Sequence, residues 1–377
     1  MASDLSDDAY QQAILPHVSR TFALTIPQLP PPLRATVTCA YLLCRIADTI
    51  EDEPAIGPAE TLAYLDRFKD AVAGRGEPTP LARELVMRLT ERTLAKERDL
   101  VGHMEAVIRF TARLGEAQRA AIQRCVELMC YGMPRFQASA SVRGLARASD
   151  MDDYCYYVAG VVGEMLTELF CEYSPAIARN RAGLESRAVS FAQGLQMTNI
   201  LKDVWDDRSR GACWLPQEVF SRHGVDLAQI TAEPHVQGFG AGLHELVGVA
   251  HAHLRRALEY TLLIPAAEGG IRRFCLWAIG LALLTLRNID GNLRFTAAAQ
   301  VKVSRRSVAL TRILAEVALR SDWMLRRLFA QAARGLPLAD LPAERRPPPQ
   351  AGVAREAAPP TDARAADGGR RYGSSGL

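Results

Sequence analysis

The sequence has no C-x-x-C pair, no G-x-G-x-x-G turn after a strand, no period-two alternation of apolar residues and no internal repeat. Each absence removes a class. Without metal-ligand spacing, the eight cysteines read as buried free thiols in a reducing compartment, not as a zinc site or a disulfide framework. Without the glycine fingerprint a Rossmann dinucleotide site is not expected. Charge of one sign is scarce too: a net +3 over 377 residues is too small for a nucleic-acid footprint, so no nucleic-acid partner is expected. Residues 1 to 15 lack the basic start and apolar core of a signal peptide, so export is not expected. The longest apolar run, Phe274 to Leu286, is bounded by Arg272, Arg273 and Arg287; it is too short for a membrane span and reads as a buried core helix.

With 49% hydrophobic and 23% charged residues, most of the chain can bury a sizeable core. Helical periodicity without β-type alternation predicts a single all-α domain of packed helices over residues 1–335. Beyond Gly335 the composition turns to Pro, Ala, Arg and Gly, and residues 336–377 read as a disordered tail. Pro27, Pro30, Pro31 and Pro32 predict an extended lead-in to the helix that follows.

Two stretches carry chemistry. In GLQMTNILKDVWDDRSRGACWLP (Gly194 to Pro216), helical spacing places Gln196, Asn199, Asp203 and Asp207 in a stripe about 80° wide, among apolar Met197, Ile200, Leu201, Val204 and Trp205. In LRATVTCAYLLCRIADTIEDE (Leu33 to Glu53), Tyr41, Arg45, Asp48 and Asp52 share a stripe about 60° wide on an otherwise apolar helix. Carboxylates on helices fit for burial require a cationic partner, either basic side chains or a metal, and Mg²⁺ takes oxygen ligands from carboxylates and phosphates. A solvated face or an internal salt-bridge network is the plainer alternative for either pair alone. Facing one another, the two stripes would cage a metal-bound diphosphate, which the ionisation of an allylic diphosphate needs.

These residues also resemble a family. DTIED (Asp48 to Asp52) and NILKDVWDD (Asn199 to Asp207) look like the two aspartate-rich motifs of the squalene/phytoene synthases, head-to-head prenyl transferases. VSRTF (Val18 to Phe22), YCYYVAGVVG (Tyr154 to Gly163) and CWLPQEVF (Cys213 to Phe220) extend the resemblance in family order over residues 10 to 330 or so. The resemblance implies an isoprenoid-synthase-type helical fold with a central active-site cavity, Mg²⁺ and NADPH as cofactors, and two molecules of farnesyl diphosphate as substrate. The product would be squalene by way of presqualene diphosphate. Asp48, Asp52, Asn199, Asp203 and Asp207 would hold metal, with Glu51 and Asp206 beside them. Ser19, Arg20 and Phe22, together with Tyr41, Arg45, Gln196, Arg208 and Arg210, would surround the substrate and its diphosphate.

Tyr154 falls on the tyrosine that the family assigns to the first half-reaction, while Tyr156 stands where many relatives have His. Ala159 and Gly163, with Gly160 between, admit close approach of either another helix or a prenyl chain, and Tyr157, Val161 and Leu166 are candidates for the same wall. Lys302, Arg305 and Arg306 resemble the basic patch that accompanies nicotinamide use, with Ser304 replacing one basic residue, and the resemblance implies Asn288 beside them at the cofactor. Presqualene diphosphate, dehydrosqualene or phytoene synthases, or a non-catalytic helical assembly protein of the same fold, are the alternatives. The expected setting is a cytoplasmic monomer with peripheral contact to the inner membrane for product release, since similar eukaryotic enzymes end in an anchor that this sequence lacks.

Overall fold

The computed structural model describes residues 6–19, 21–231 and 238–341, and helices make up about three quarters of it. Helix α1 (Asp7–Val18) is capped by Ser6, whose hydroxyl accepts from the Ala9 amide. Helix α2 (Pro31–Glu51) starts on proline, where the missing N–H has no helical partner to lose. The expected extended lead-in therefore shrinks to Leu29 and Pro30, because Pro27 sits in a short 3₁₀ turn and Pro31 and Pro32 open the helix itself. Helices α3 (Ala95–Gly102) and α4 (Glu116–Ala138) follow.

The next helix, α5, spans residues 148–173 in three parts: Ala148–Cys155, a π-helical turn at Tyr156–Gly160, and Val161–Tyr173. Then come α6 (Arg181–Ser209), α7 (Phe239–Leu263), α8 (Gly269–Asp290), α9 (Arg305–Ala318) and α10 (Asp322–Ala332). Among the described residues the only β pairing is an isolated bridge between Leu145 and Pro216.

Two buried clusters meet along α5. One gathers α1, α2 and α4 with Tyr156 and Val161; the other gathers α6, α7 and α8 with Tyr154 and Cys155. Helix α6 packs on α5, α7 and α8, and two glycines set how closely. A Cβ on Gly163 would lie 2.3 Å from the Ala188 carbonyl oxygen, and one on Gly194 would lie 3.1 Å from the Leu254 nitrogen. Gly163 thus answers to helix crossing, the plainer of its two expected roles.

Helix α8 extends the apolar run at both ends to 22 residues, long and apolar enough by length and composition to cross a membrane, yet 61% of its most apolar window is buried inside the fold. It is a core helix, as expected, though not a short one. All eight cysteines are free and buried.

The chain does not leave the fold at residue 336. Gly335 turns with φ +87°, His251 Nδ1 donates to the Pro337 carbonyl at 2.7 Å, and the Ala339 amide donates to the Gly248 carbonyl at 3.1 Å. Residues 336–339 are thereby tied along α7, which composition could not reveal. The rest of the predicted tail, 342–377, lies outside the described residues.

Candidate active site

From Thr36 to Ile50 every residue of α2 is buried except Tyr41, Arg45 and Asp48, which together with Asp52 at the C-cap form the predicted stripe. The stripe is held from several directions. Tyr41 donates to the Val18 carbonyl at 2.9 Å and packs on Phe22, ring centroids 5.2 Å apart. Arg45 Nη1 lies 3.7 Å from Asp48, while Nη2 donates to Glu97, a buried residue of α3. Just past the helix, buried Glu53 accepts from the Thr90 and Ala55 amides and the Thr90 and Thr93 hydroxyls. Burial pushes that carboxyl up, but these four donors win and hold it below its usual range, so Glu53 anchors the end of the DTIEDE segment as an ion.

On α6, Gln196, Asn199, Asp203 and Asp207 lie toward solvent while Met197, Ile200, Leu201 and Val204 are buried, as the spacing predicts. Lys202 joins this face: its Nζ is 3.3 Å from Asn199 Oδ1 and 3.1 Å from Asp203 Oδ2. Trp205 donates through Nε1 to the Phe295 carbonyl at 2.7 Å, fixing the loop beyond α8 against the same helix.

Electrostatics brings the two stripes together. Arg210 donates to Asp207 at 2.6 Å, and its charge also acts on Asp52 and Glu51 of the first motif. Burial, partly offset by Arg45 and reinforced by Asp52 and Glu97, pushes the Asp48 carboxyl up to about 7. Burial likewise pushes Asp207 up to about 6 against the pull of Arg210, with Asp203 and Asp52 adding to the rise. Glu51 and Asp52 are raised as well, first by burial. Arg45, Lys202 and Arg210 therefore leave the facing carboxylates short of positive charge.

An all-oxygen donor set short of countercharge fits Mg²⁺. Among the described residues no three His, Cys, Asp or Glu side chains lie close enough to hold an ion by themselves. The donors come from two separate helices, which suits a metal that shares its coordination with phosphate oxygens.

Tyr154 stands beside both stripes. Burial raises its phenol well above the usual range, and Glu51, Asp52 and Asp207 add to the rise, so it is a neutral hydroxyl. Its ring stacks on Trp214 at 4.2 Å and 8°, with Phe136 edge-on at 5.5 Å. Trp214 is delivered by the CWLP segment, which the Leu145–Pro216 bridge fastens through Leu145 N–H to Leu215 O at 2.9 Å and Gln217 N–H to Leu145 O at 2.7 Å. The π turn immediately after Tyr154 shifts the helix register by inserting a residue, a feature common at functional sites. Within it Tyr156, in the family's His position, donates to Glu164, which also pairs with Arg124 at 3.0 Å.

Several of the remaining candidates bond to backbone groups. Ser19 accepts from the Phe22 amide at 3.0 Å as a cap, and Arg20 lies outside the described residues. Arg208 was expected to clamp phosphate, but it donates instead to the carbonyls of Val142 and Ile230, each at 2.8 Å, and joins two loops. Val161 is buried in the core. Asn288 was expected at the cofactor, but its amide donates to the Val301 and Lys302 carbonyls and holds the turn. Lys302, Arg305 and Arg306 are exposed, and Ser304 caps α9 by accepting from the Ser307 amide at 3.1 Å. Sequence reasoning missed Glu97, Lys202 and Trp214. Lys202 and Trp214 carried a signal, their places inside the second motif and inside CWLPQEVF, whereas Glu97 carried none.

Residues 15–307 match the family described as squalene/phytoene synthase. The squalene synthase of Eremothecium gossypii is 28% identical over 294 residues, covering 74% of this chain and 62% of its own length. That of Solanum lycopersicum is 29% identical over 286 residues, covering 74% and 64%. The chain spans from about two fifths to just under two thirds of the length of the curated relatives it matches. Among solved structures, the complex of TcSQS with the ligand BPH1237 superposes with a TM-score of 0.71 at 25% identity, covering 89% of this chain and 94% of that one. A ligand-bound dehydrosqualene synthase shares the fold, with a TM-score of 0.61 at 23% identity and coverage of 84% and 97%.

Proposed function

The chain belongs to the squalene/phytoene synthase family, and from that premise we propose that it joins two farnesyl diphosphates head to head into presqualene diphosphate and reduces this with NADPH to squalene. The observation that carries the reading is the meeting of the two carboxylate stripes at Arg210, Asp207 and Asp52. Asp48, Asp52, Asn199, Asp203 and Asp207 are the residues that would hold Mg²⁺, whose chemistry there is to neutralise the leaving diphosphate.

The chain's own groups do the rest. Arg45, fixed by Glu97, and Arg210, fixed by Asp207, offer planar donors to phosphate oxygens, as would Arg20. Tyr154, neutral and immobilised between Trp214 and Phe136, would position the reacting carbons and donate a hydrogen bond near the carboxylates. Its aromatic neighbours exclude water, which would otherwise trap the allylic cation as an alcohol. Lys302, Arg305 and Arg306 suit the phosphates of a dinucleotide by charge, and Asn288 shapes their turn.

The test is incubation with farnesyl diphosphate and Mg²⁺, with and without NADPH, followed by product identification. Squalene formed only with NADPH supports the proposal. Dehydrosqualene without reductant, or preference for the C20 diphosphate, overturns it. A second reading, an enzyme that stops at presqualene diphosphate, is favoured by Ser304, which caps α9 where a further basic residue would strengthen the patch. Presqualene diphosphate under both conditions would establish it. Asp48→Ala and Asp203→Ala should each lower turnover at least about 1000-fold with helical content intact, and near-native activity would remove the metal cage from either reading.

A further inference from the structure

Helix α9 turns its large apolar side chains outward. Leu310, Ile313, Leu314 and Val317 recur at i, i+3, i+4 and i+7, within about 100° of the helix surface. They are 56%, 60%, 39% and 69% exposed. The inward face is made of small residues: Ala315 and Ala318 are buried, and Thr311 fits over Gly280 of α8, where a Cβ would meet its methyl at 2.5 Å. The helix is thus seated by its small side and leaves unburied the stripe that a core-facing helix would bury. Shortly beyond, Trp323 is 66% exposed beneath the Arg327 guanidinium. Single exposed apolar residues are ordinary, but an aligned stripe of four is a patch that marks a contact.

The charge around the stripe says what kind of contact. Between Lys302 and Arg334 the chain carries eight basic residues and two acidic ones, while the whole chain nets only +3. Both acids are already paired: Glu316 with Arg273 at 2.6 Å and Asp322 with Arg272 at 2.8 Å. Two copies brought together through this face would oppose like charges, whereas an anionic lipid surface attracts it. An outward leucine-rich stripe with arginines about it and a nearby exposed tryptophan is the pattern of a helix lying in a membrane interface.

We propose that α9 docks the protein on an anionic phospholipid bilayer, with Leu310, Ile313, Leu314 and Val317 entering the acyl boundary. The purpose of docking rests on the squalene reading: a hydrocarbon product has to leave into an apolar phase, and farnesyl chains partition there too.

The test is flotation of the full chain, without substrate or Mg²⁺, on vesicles of phosphatidylcholine containing phosphatidylglycerol and on vesicles of phosphatidylcholine alone. Binding to the anionic vesicles is expected, weakening with salt. It should fall at least about ten-fold in Ile313→Ser/Val317→Ser and in Leu310→Ser/Leu314→Ser, with circular dichroism unchanged. Undiminished binding by both variants, equal binding to neutral vesicles, or no binding by the wild type overturns the proposal. A dimer in lipid-free solution that these substitutions dissolve would also overturn it, giving the stripe to a second copy. Because no substrate is present, failure here leaves the catalytic reading standing, and failure of that reading leaves the binding result standing.

Discussion

Glu97 accepts a hydrogen bond from Arg45 across the α3–α2 contact, and the other terminal nitrogen of Arg45 faces Asp48 at 3.7 Å. A buried carboxylate thus aims a guanidinium at the carboxylate stripe. Removing it leaves Arg45 half-buried with nothing behind it, and breaking such a pair costs about 3 kcal/mol. Glu97→Ala should lower the thermal midpoint and raise KM for farnesyl diphosphate about ten-fold, whereas Glu97→Gln, which keeps an acceptor, should recover most of KM. A loss of stability with KM unchanged would make Glu97 structural only.

The facing carboxylates make a second, pH-dependent prediction. Asp48 and Asp207 are raised to about 7 and about 6, so they hold protons in the folded chain that they have lost when unfolded. Their contribution is fully present below the ordinary carboxyl value near 4 and is lost as pH rises through about 6 to 7. Without metal or substrate, the thermal midpoint should fall between about pH 5 and pH 8 on this account. Asp48→Asn should flatten that fall and raise the midpoint at the upper end by on the order of 2 °C. A midpoint that climbs with pH in both proteins would contradict the electrostatics of the site.

How far the sequence reached depended on the length scale of each feature. The α2 stripe was legible because a single period decides it: Tyr41, Arg45 and Asp48 are the only unburied residues between Thr36 and Ile50. Glu97 was not, since it reaches the site from a part of the chain that carries no local chemical signal, and Trp214, though inside CWLPQEVF, showed its place only once its ring was seen stacked on Tyr154. Arg208 looked like a phosphate clamp because it follows Asp207, yet loop carbonyls of Val142 and Ile230 take its donors. The residues after Gly335 looked disordered by composition, which cannot register two hydrogen bonds to α7. The outward stripe of α9 has the period of a buried helix, so periodicity alone would have placed it in the core.

Two glycines next to the site are packing positions with a measurable cost. A Cβ on Gly163 would lie 2.3 Å from a backbone carbonyl on α6, which cannot swing aside. One on Gly132 would lie 2.0 Å from Cγ and 2.5 Å from Cβ of Tyr157, atoms at the root of the side chain that ring rotation does not move. Gly163→Ala and Gly132→Ala should therefore each destabilise the fold by about 2 kcal/mol or more. Gly132→Ala should also displace Tyr157 and, through it, the Phe136 edge that supports Tyr154, lowering turnover at temperatures where the variant is still folded. Thermal denaturation checks the first expectation, and a midpoint close to wild type in either variant would mean that the packing around α5 gives way to a methyl group.

The last prediction separates the two half-reactions. On the proposed reading both ionisations draw on the carboxylate stripes and only the second needs a reductant, whereas Lys302 and Arg305 belong to neither stripe and lie at the exposed start of α9. Their turn packs on the second motif helix through buried Val301 and through the Trp205 bond to the Phe295 carbonyl, neither of which uses the Lys302 or Arg305 side chain, so charge removal there should leave the cage unaltered. In Lys302→Gln/Arg305→Gln, presqualene diphosphate formation should stay within about two-fold of wild type while its reduction slows about ten-fold or more, with a raised KM for NADPH, because only the phosphate contacts are lost. Presqualene diphosphate should then accumulate at low NADPH and clear at high NADPH. Equal loss of both half-reactions would make the patch structural, and no loss of either would place the reductant elsewhere on the protein.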